Sequence, residues 1–474
     1  MQLNVAFPDR PERHAAARRY IHETLLSDFL GLSFTEERHG GAETIITCPG
    51  SPGRLHLPDI LLRASDWLEP TSLPNTPLDR WQHVPRHVRL TPGYDDLPIL
   101  YGRRHASGDY LWRDGDALHL GVDVFGSCLF MLGRYEELVR SERDVHGRFA
   151  YHASLAAQEN IVLRPLVNEY VELLWTSLQQ LWPHLRRRSR QARLFLSHDV
   201  DIHLWNNDHD PRRLLKALKA DLGGWRDASR GRFSLSRSVV DAWRGRYDHD
   251  PFNTYAWLMD RSERLNVHAA FNFIAAPRHA ENGGSYELTD PWVRHLMRHI
   301  HTRGHEIGLH PSYGTYRDPE RIKHEWTVLR ETTNALGIDQ PAWGGRQHYL
   351  RWEAPTTWQS WADAGLTYDS SVGFADHVGF RAGTCYEYRT FNLLTGQPLP
   401  LFERPLVVMD ASLLQRNYMN LQPQEALKVV RALIRACARF QGDFALLWHN
   451  SQFVRASDVW LFDQILDEYA GVLA

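Results

Sequence analysis

The sequence predicts an α/β protein in which a smaller mixed α/β region precedes a run of parallel β/α units, closed as a barrel or laid out as an open sheet. Three observations carry this. From Leu194 onward short apolar strands alternate with amphipathic helices, the pattern of parallel β/α units. Residues able to do chemistry follow those strands directly: Asp199 and Asp201, then His310, Asp410 and His449. In both architectures ligands are met at the C-terminal strand ends. Finally, 474 residues exceed one ordinary domain, and the run Arg186-Arg187-Arg188-Ser189-Arg190 is the natural boundary, giving regions 1–185 and 190–474.

In the first region Leu118, Leu120, Val122 and Val124 alternate as in a strand, and a helical run follows from Ser127 to Arg140. Pro165 opens a helix with Val167, Val171, Leu174, Leu178 and Leu181 on one face, and Pro183 stops it. The arginine run itself reads more readily as a solvated linker than as a binding patch. In the second region Leu194–Leu196 is strand-like, a helix spans Tyr255–Leu265, and Ala269–Ile274 is a buried strand. Asp290-Pro291 caps a helix carrying Val293, Leu296, Met297 and Ile300, closed by Gly304. His305–His310 is the next strand. Asp318-Pro319 caps a helix with Ile322, Trp326, Leu329 and Leu336, closed by Gly337. Strands at Tyr368–Val372, Leu406–Met409 and Ala445–Trp448 complete the set, with a helix of Leu427, Val430, Ile434 and Cys437 between the last two.

Composition excludes several classes. With 43% hydrophobic and 23% charged residues the chain is globular, and a net charge of -3 gives no electrostatic reason for a nucleic-acid partner. The four cysteines lie far apart with no paired spacing, which fits a reducing compartment rather than a disulfide framework or a zinc knuckle. No apolar stretch approaches the roughly 18 residues of a membrane span, so no membrane insertion is expected. With charged residues at Asp9, Arg10, Glu12 and Arg13, the N-terminus lacks a signal-peptide apolar core. The expected compartment is the cytoplasm. Seventeen tryptophans suit a carbohydrate enzyme but are mostly core in any protein. Nothing in the chain speaks to oligomeric state.

The chemistry-bearing stretches are Ser197-His198-Asp199-Val200-Asp201 and Gly304-His305-Glu306-Ile307-Gly308-Leu309-His310-Pro311. At period two, Asp199 and Asp201 leave their strand on one side. Carboxylates at one strand end and an imidazole at another are what a divalent metal and a general base need, and so point to metal-assisted hydrolysis. Taken singly, each has a plainer explanation. An Asp-x-Asp pair is a common cap or turn, His310-Pro311 a structural corner, Arg346 an ion-pair arginine, and His449 a satisfied core histidine. Asp376, His377 and Arg381 either line a pocket or decorate a loop. The ordered set at successive strand ends is what raises the functional reading.

In this order the residues resemble the polysaccharide deacetylase family (carbohydrate esterase family 4), over roughly Leu194 to Phe453. The resemblance implies a distorted (β/α) barrel that hydrolyses N-acetyl or O-acetyl groups on sugars, with the smaller N-terminal region as an addition of unknown role. Ser197–Asp201 is similar to a variant of the family's first motif, making Asp199 the general base and Asp201 a metal ligand. Gly304–His310 is similar to G-H-E-I-G-x-H, making His310 a ligand. Arg346-Gln347-His348-Tyr349 resembles R-x-P-Y, in which the Arg orients the base and the Tyr N–H faces the oxyanion. Leu446-Leu447-Trp448-His449 resembles L-x-x-H, whose histidine is the general acid, with Asp410 placed to orient it and Trp448 beside the substrate. The implied cofactor is a divalent metal, most naturally zinc, and the implied partner a carbohydrate or glycoconjugate.

Two positions depart from that pattern. The second histidine ligand, four residues after the first, is Gly314, and the proline of R-x-P-Y is His348. A third ligand must therefore come from elsewhere. His305 sits at the wrong end of its strand, roughly 16 Å away along five extended residues, which leaves His203 and His348. Two alternatives stand beside the metal-dependent deacetylase: a metal-independent C–N hydrolase on the same scaffold, and a non-catalytic glycan-binding protein.

Overall fold

The computed structural model describes residues 2–9, 14–206, 211–222, 235–276 and 284–473. The first region builds a mixed six-stranded sheet from β1 (Gln2–Pro8), β2 (Ser33–His39), β3 (Glu43–Thr47), β4 (Arg54–Pro58), β7 (Leu111–Asp114) and β8 (Ala117–Leu120), in the order β2-β1-β3-β4-β8-β7. A two-stranded ribbon, β5 (Asp79–Trp81) with β6 (Leu97–Ile99), lies beside it.

The second region is built on nine strands: β9 (Arg193–Val200), β10 (Ala270–Phe273), β11 (Glu306–Leu309), β12 (Gly344–Gly345), β13 (Tyr368–Asp369), β14 (Tyr388–Asn392), β15 (Gln397–Glu403), β16 (Val408–Met409) and β17 (Asp443–Leu447). They pair in the order β14-β15-β13-β12-β11-β10-β9-β17-β16, and every pair is parallel except the β14–β15 hairpin. This is a curled, incomplete barrel rather than a closed one: among the described residues β14 and β16 are unpaired edges.

Burial explains why these segments take up strand and helix. In β9 and β17 nearly every residue is enclosed, as expected of parallel strands covered on both faces. The helix Pro423–Arg439 buries Ala426, Leu427, Val430, Leu433, Ile434 and Cys437 at helical spacing, and Gln422 with Glu425 forms a capping box at its start. Each large apolar side chain buried this way contributes about 1.5–3 kcal/mol.

Several expectations change. The helix expected from Ser127 to Arg140 is two helices, Val124–Leu132 and Tyr135–Val139, broken where Arg134 takes a left-handed backbone. The preceding strand stops at Leu120: Val122 makes only an isolated bridge to Gly102, and Val124 already opens the helix. Asp318 caps its helix by accepting the Arg321 N–H, whereas the Asp290 carboxylate accepts the Glu287 N–H instead. The arginine run is an irregular linker exposed at Arg186, Arg188 and Ser189, but it is tied to its surroundings. Arg187 pairs with Glu172, Arg188 donates to the Asp28 carbonyl at 3.0 Å, and Arg190 lies over the Tyr386 ring at 3.8 Å. Arg381 lines a cavity between the two regions, together with Arg134, Phe374 and Phe380, rather than decorating a loop. It is buried on Glu137 of the first region, with bonds of 2.9 and 2.6 Å. Arg134 shares that carboxylate, which is held down to about 2: burial would raise it, and the two guanidinium groups outweigh burial.

Candidate active site at the strand ends

Six neighbouring strands, β12-β11-β10-β9-β17-β16, deliver the chemistry-bearing residues to one end of the sheet. Asp199 lies in the last turn of β9 and Asp201 just beyond it; His310 follows β11, Arg346 and His348 follow β12, Asp410 follows β16, and His449 follows β17. The parallel register places Asn272 of β10 opposite Asp199 and Gly345 of β12 opposite Leu309. Gly345 is required there, since a Cβ would stand 1.8 Å from the Leu309 carbonyl oxygen.

Asp199 is buried, and its Oδ1 accepts from Arg346 Nη1 at 3.0 Å and Asn272 Nδ2 at 2.7 Å. Arg346 is itself fixed by Ser197 Oγ (2.9 Å), Ser370 Oγ (3.0 Å) and the Ser370 carbonyl (2.8 Å). Burial pushes the Asp199 carboxyl up, but Arg346 and the neighbouring His310 and His449 outweigh it, so the group is held below the usual carboxylate range. Asp199 is a carboxylate with a defined orientation and its other oxygen, Oδ2, 3.8 Å from His310 Nδ1.

Asp201, His310 and His348 form a group that could hold a metal ion. His310 Nε2 stands 3.1 Å and His348 Nε2 3.5 Å from the same Asp201 oxygen, Oδ1. The chemistry of the donors tests the fit. His310 Nδ1 lies 2.7 Å from the Arg346 carbonyl oxygen, a contact only an N–H can satisfy. A neutral His310 therefore turns its Nε2 lone pair toward Asp201, acceptor against acceptor, and among the described residues that buried Asp201 oxygen has no hydrogen-bond partner. An added proton or a cation resolves such a pairing. A carbonyl on the far nitrogen is also how ligating histidines are oriented. The residues fit a divalent metal. For Asp201, burial raises the carboxyl, but His348 and His310 dominate and keep it well below its ordinary value.

The expected gap at Gly314 is real, and its space is taken: a Cβ there would stand 2.4 Å from Arg321 Nη1. Of the two substitutes, His348 joins the group. His203 does not, as it bonds Ser285 Oγ at 3.0 Å and packs against Tyr286 and Trp292. His305 lies away at the other strand end, 3.4 Å from Glu263.

On the neighbouring strand end, His449 Nδ1 bonds Asp410 Oδ1 at 2.8 Å, and the second Asp410 oxygen accepts the His449 N–H at 2.8 Å. The free Nε2 points inward, 3.6 Å from Asp201 Oδ2. Burial disfavours the imidazolium, but Asp410, then Asp201 and Asp199, outweigh it and raise His449 to about 10. The site thus brings together a carboxylate whose ionised form Arg346 favours and an imidazole whose proton Asp410 favours.

Tyr349 lies next to His348, its ring 42% exposed and 4.8 Å from the His348 ring. Trp448 departs from expectation. Alternation along the chain sends it to the face opposite His449, where its ring is fully enclosed by Phe453 and Phe462, so it does not meet a substrate. Sequence reasoning missed Asn272, whose signal was an amide between Phe271 and Phe273 in an otherwise apolar strand. It also missed Arg148, which reaches from the first region to the Tyr349 carbonyl at 2.8 Å.

A family model described as a family of unknown function (DUF7033) matches residues 9–183. No curated protein matches the sequence. Among solved structures, the chain is similar to a protein from Mycobacterium smegmatis assigned as a polysaccharide deacetylase (17% identity, TM-score 0.37, covering 60% of this chain and 85% of that one). It is also similar to Puue allantoinase (14%, 0.35, 60% and 85%) and to a protein from Pseudomonas aeruginosa PAO1 assigned as a polysaccharide deacetylase (12%, 0.34, 66% and 90%).

Proposed function

We propose that this chain is a metal-dependent hydrolase that removes an N-acetyl (or O-acetyl) group from a sugar or glycoconjugate. The observation that carries the reading is that Asp199 and His449 both stand against the Asp201/His310/His348 group, Asp199 Oδ2 3.8 Å from His310 and His449 Nε2 3.6 Å from Asp201, each already oriented by its own partner. Asp201, His310 and His348 would hold the metal, zinc by the nature of the donors. When bound, such an ion polarises the acyl carbonyl and acidifies water.

The rest falls to the chain's own groups. Asp199, kept ionised and aimed by Arg346 and Asn272, takes the proton of the attacking water at Oδ2, since Oδ1 is fully engaged. His449, with Nδ1–H committed to Asp410, presents Nε2–H to the leaving nitrogen or oxygen. The Tyr349 N–H serves the developing oxyanion.

The four cysteines are all free and buried, and no helix among the described residues is long and apolar enough to cross a membrane. On the cysteines we place the enzyme in the cytoplasm. Finished cell-wall polymers are absent there, so the substrate is a biosynthetic intermediate such as a nucleotide- or lipid-linked N-acetyl sugar. The test compares acetate release from a nucleotide-linked N-acetylhexosamine with release from a chitin-type polymer, in the zinc-loaded protein. Release from the small conjugate supports the reading. Release from polymer alone overturns the placement, and release from neither overturns the activity.

A further inference from the structure

Two consecutive residues beside the metal-ligand group, Tyr349 and Leu350, have left-handed backbones with φ of 62° and 51°, and neither is glycine. Such residues are strained and persist only where the surroundings hold them. What holds them here comes from the far end of the sequence. The turn Asp144–Arg148, closed by the Arg143–Phe149 bridge, reaches over from the first region and lies against Tyr313, Tyr349 and Arg351. Arg148 Nη1 donates to the Tyr349 carbonyl at 2.8 Å. Arg148 is buried and is fixed in turn by Asp144, through Nε at 2.7 Å and its own N–H at 3.0 Å. Gly147 lets the turn come this close, since a Cβ there would stand 2.8 Å from Tyr316 Oη.

On the other side of Tyr349 the chain is also pinned. The Gln347 N–H donates to Ser371 Oγ at 2.9 Å. Between these two anchors lie the His348 imidazole and the Tyr349 N–H, whose directions depend on the dihedral angles that the anchors set. We infer that Arg148 is a positioning residue for the hydrolytic site, and that one role of the N-terminal region is to complete that site by clamping the Tyr349 peptide. This rests on the hydrolase reading for its effect on turnover, but not for the clamp itself.

The test uses the full chain as wild type, Arg148→Ala and Arg148→Lys, with two readouts. Misplacing a reacting group by about 1 Å costs on the order of 100-fold. Arg148→Ala should therefore lower kcat for acetate release about ten- to a hundredfold with KM little changed, and Lys, a single ammonium on a flexible stem without the guanidinium's fork, should restore part of it. Hydrogen exchange at peptides spanning residues 349–352 should quicken in Arg148→Ala while β9 stays protected. An unchanged kcat, or unchanged exchange at 349–352, overturns the proposal. Should wild type release no acetate, the hydrolase reading falls and exchange alone judges the clamp. If Arg148→Ala does not fold, Asp144→Asn, which leaves Arg148 unbraced, should shift both readouts in the same direction, and no shift overturns the proposal.

Discussion

Among the described residues stand two groups of one carboxylate and two histidines, each drawn from three segments of a sheet, and they differ in everything except donor type. At the barrel end, Asp201, His310 and His348 are gathered with both Nε2 atoms facing one oxygen. On the N-terminal sheet, Glu43 of β3, His56 of β4 and His119 of β8 are brought together by strand register, with His56 opposite His119. There the rings stack instead: His56 on His119 with centroids 4.6 Å apart, and His119 on Trp112 with planes 5° apart. His56 Nδ1 is already spent on Glu43 at 3.0 Å, and that hydrogen bond holds the Glu43 carboxyl below its ordinary value. Stacked rings send their in-plane lone pairs side by side, not toward one point. In the barrel group both histidines are buried, Asp201 is half-buried, and His310 is turned by the Arg346 carbonyl; among the described residues no backbone carbonyl turns a ring of the sheet group. Donor identity is common to both, and orientation by outlying contacts separates them.

The comparison breaks hardest if the barrel end is not the reactive one. Asp199→Asn and His449→Ala should each lower acetate release by about 10²–10⁴-fold while the far-ultraviolet spectrum and melting transition stay those of wild type. Near-normal turnover in either would remove its assigned role. For metal, His310→Ala should weaken zinc binding by more than the about 10–100-fold seen when a supporting partner is lost, read by competition titration against a chromophoric chelator.

A pH measurement probes the contact between the two regions. Glu137, held to about 2 against an ordinary 4.5, stabilises the fold fully above pH 4.5 and loses that contribution as pH falls toward 2. Its size is roughly 3 kcal/mol. Denaturant titrations from pH 6 to 2 should show this loss in wild type, and Glu137→Gln, destabilised throughout, should lack that part of the slope. The smallest effect sharpens the contrast most: His119→Ala should leave the tight zinc equivalent unchanged, and its loss would place the metal on the wrong sheet.

Much of the barrel end was legible because each residue there belongs to a local signal, a short apolar strand followed by a polar or ionisable residue. The placement of Asp199, Asp201, His310 and His449 at strand ends needed only the period of a strand and its end, whereas their roles came from the resemblance. Less local features were hidden. β12 is two glycines, chosen for close approach to Leu309 rather than for propensity, so no apolar run marks it. Trp448 looked available because its neighbour is reactive, yet alternation turns it into the core. The choice of His348 over His203 depended on where two loops fold back, and Arg148 meets Tyr349 across 201 positions of sequence. Contacts of that range leave no pattern in either segment alone.

The most direct measurement is acetate release from a nucleotide-linked N-acetylhexosamine by the zinc-loaded full chain, followed in parallel in Asp199→Asn and after chelation. Release by wild type that disappears in both arms is the predicted result. Release that survives Asp199→Asn or survives removal of the metal would contradict the assignment of the barrel end as a metal-dependent hydrolytic centre.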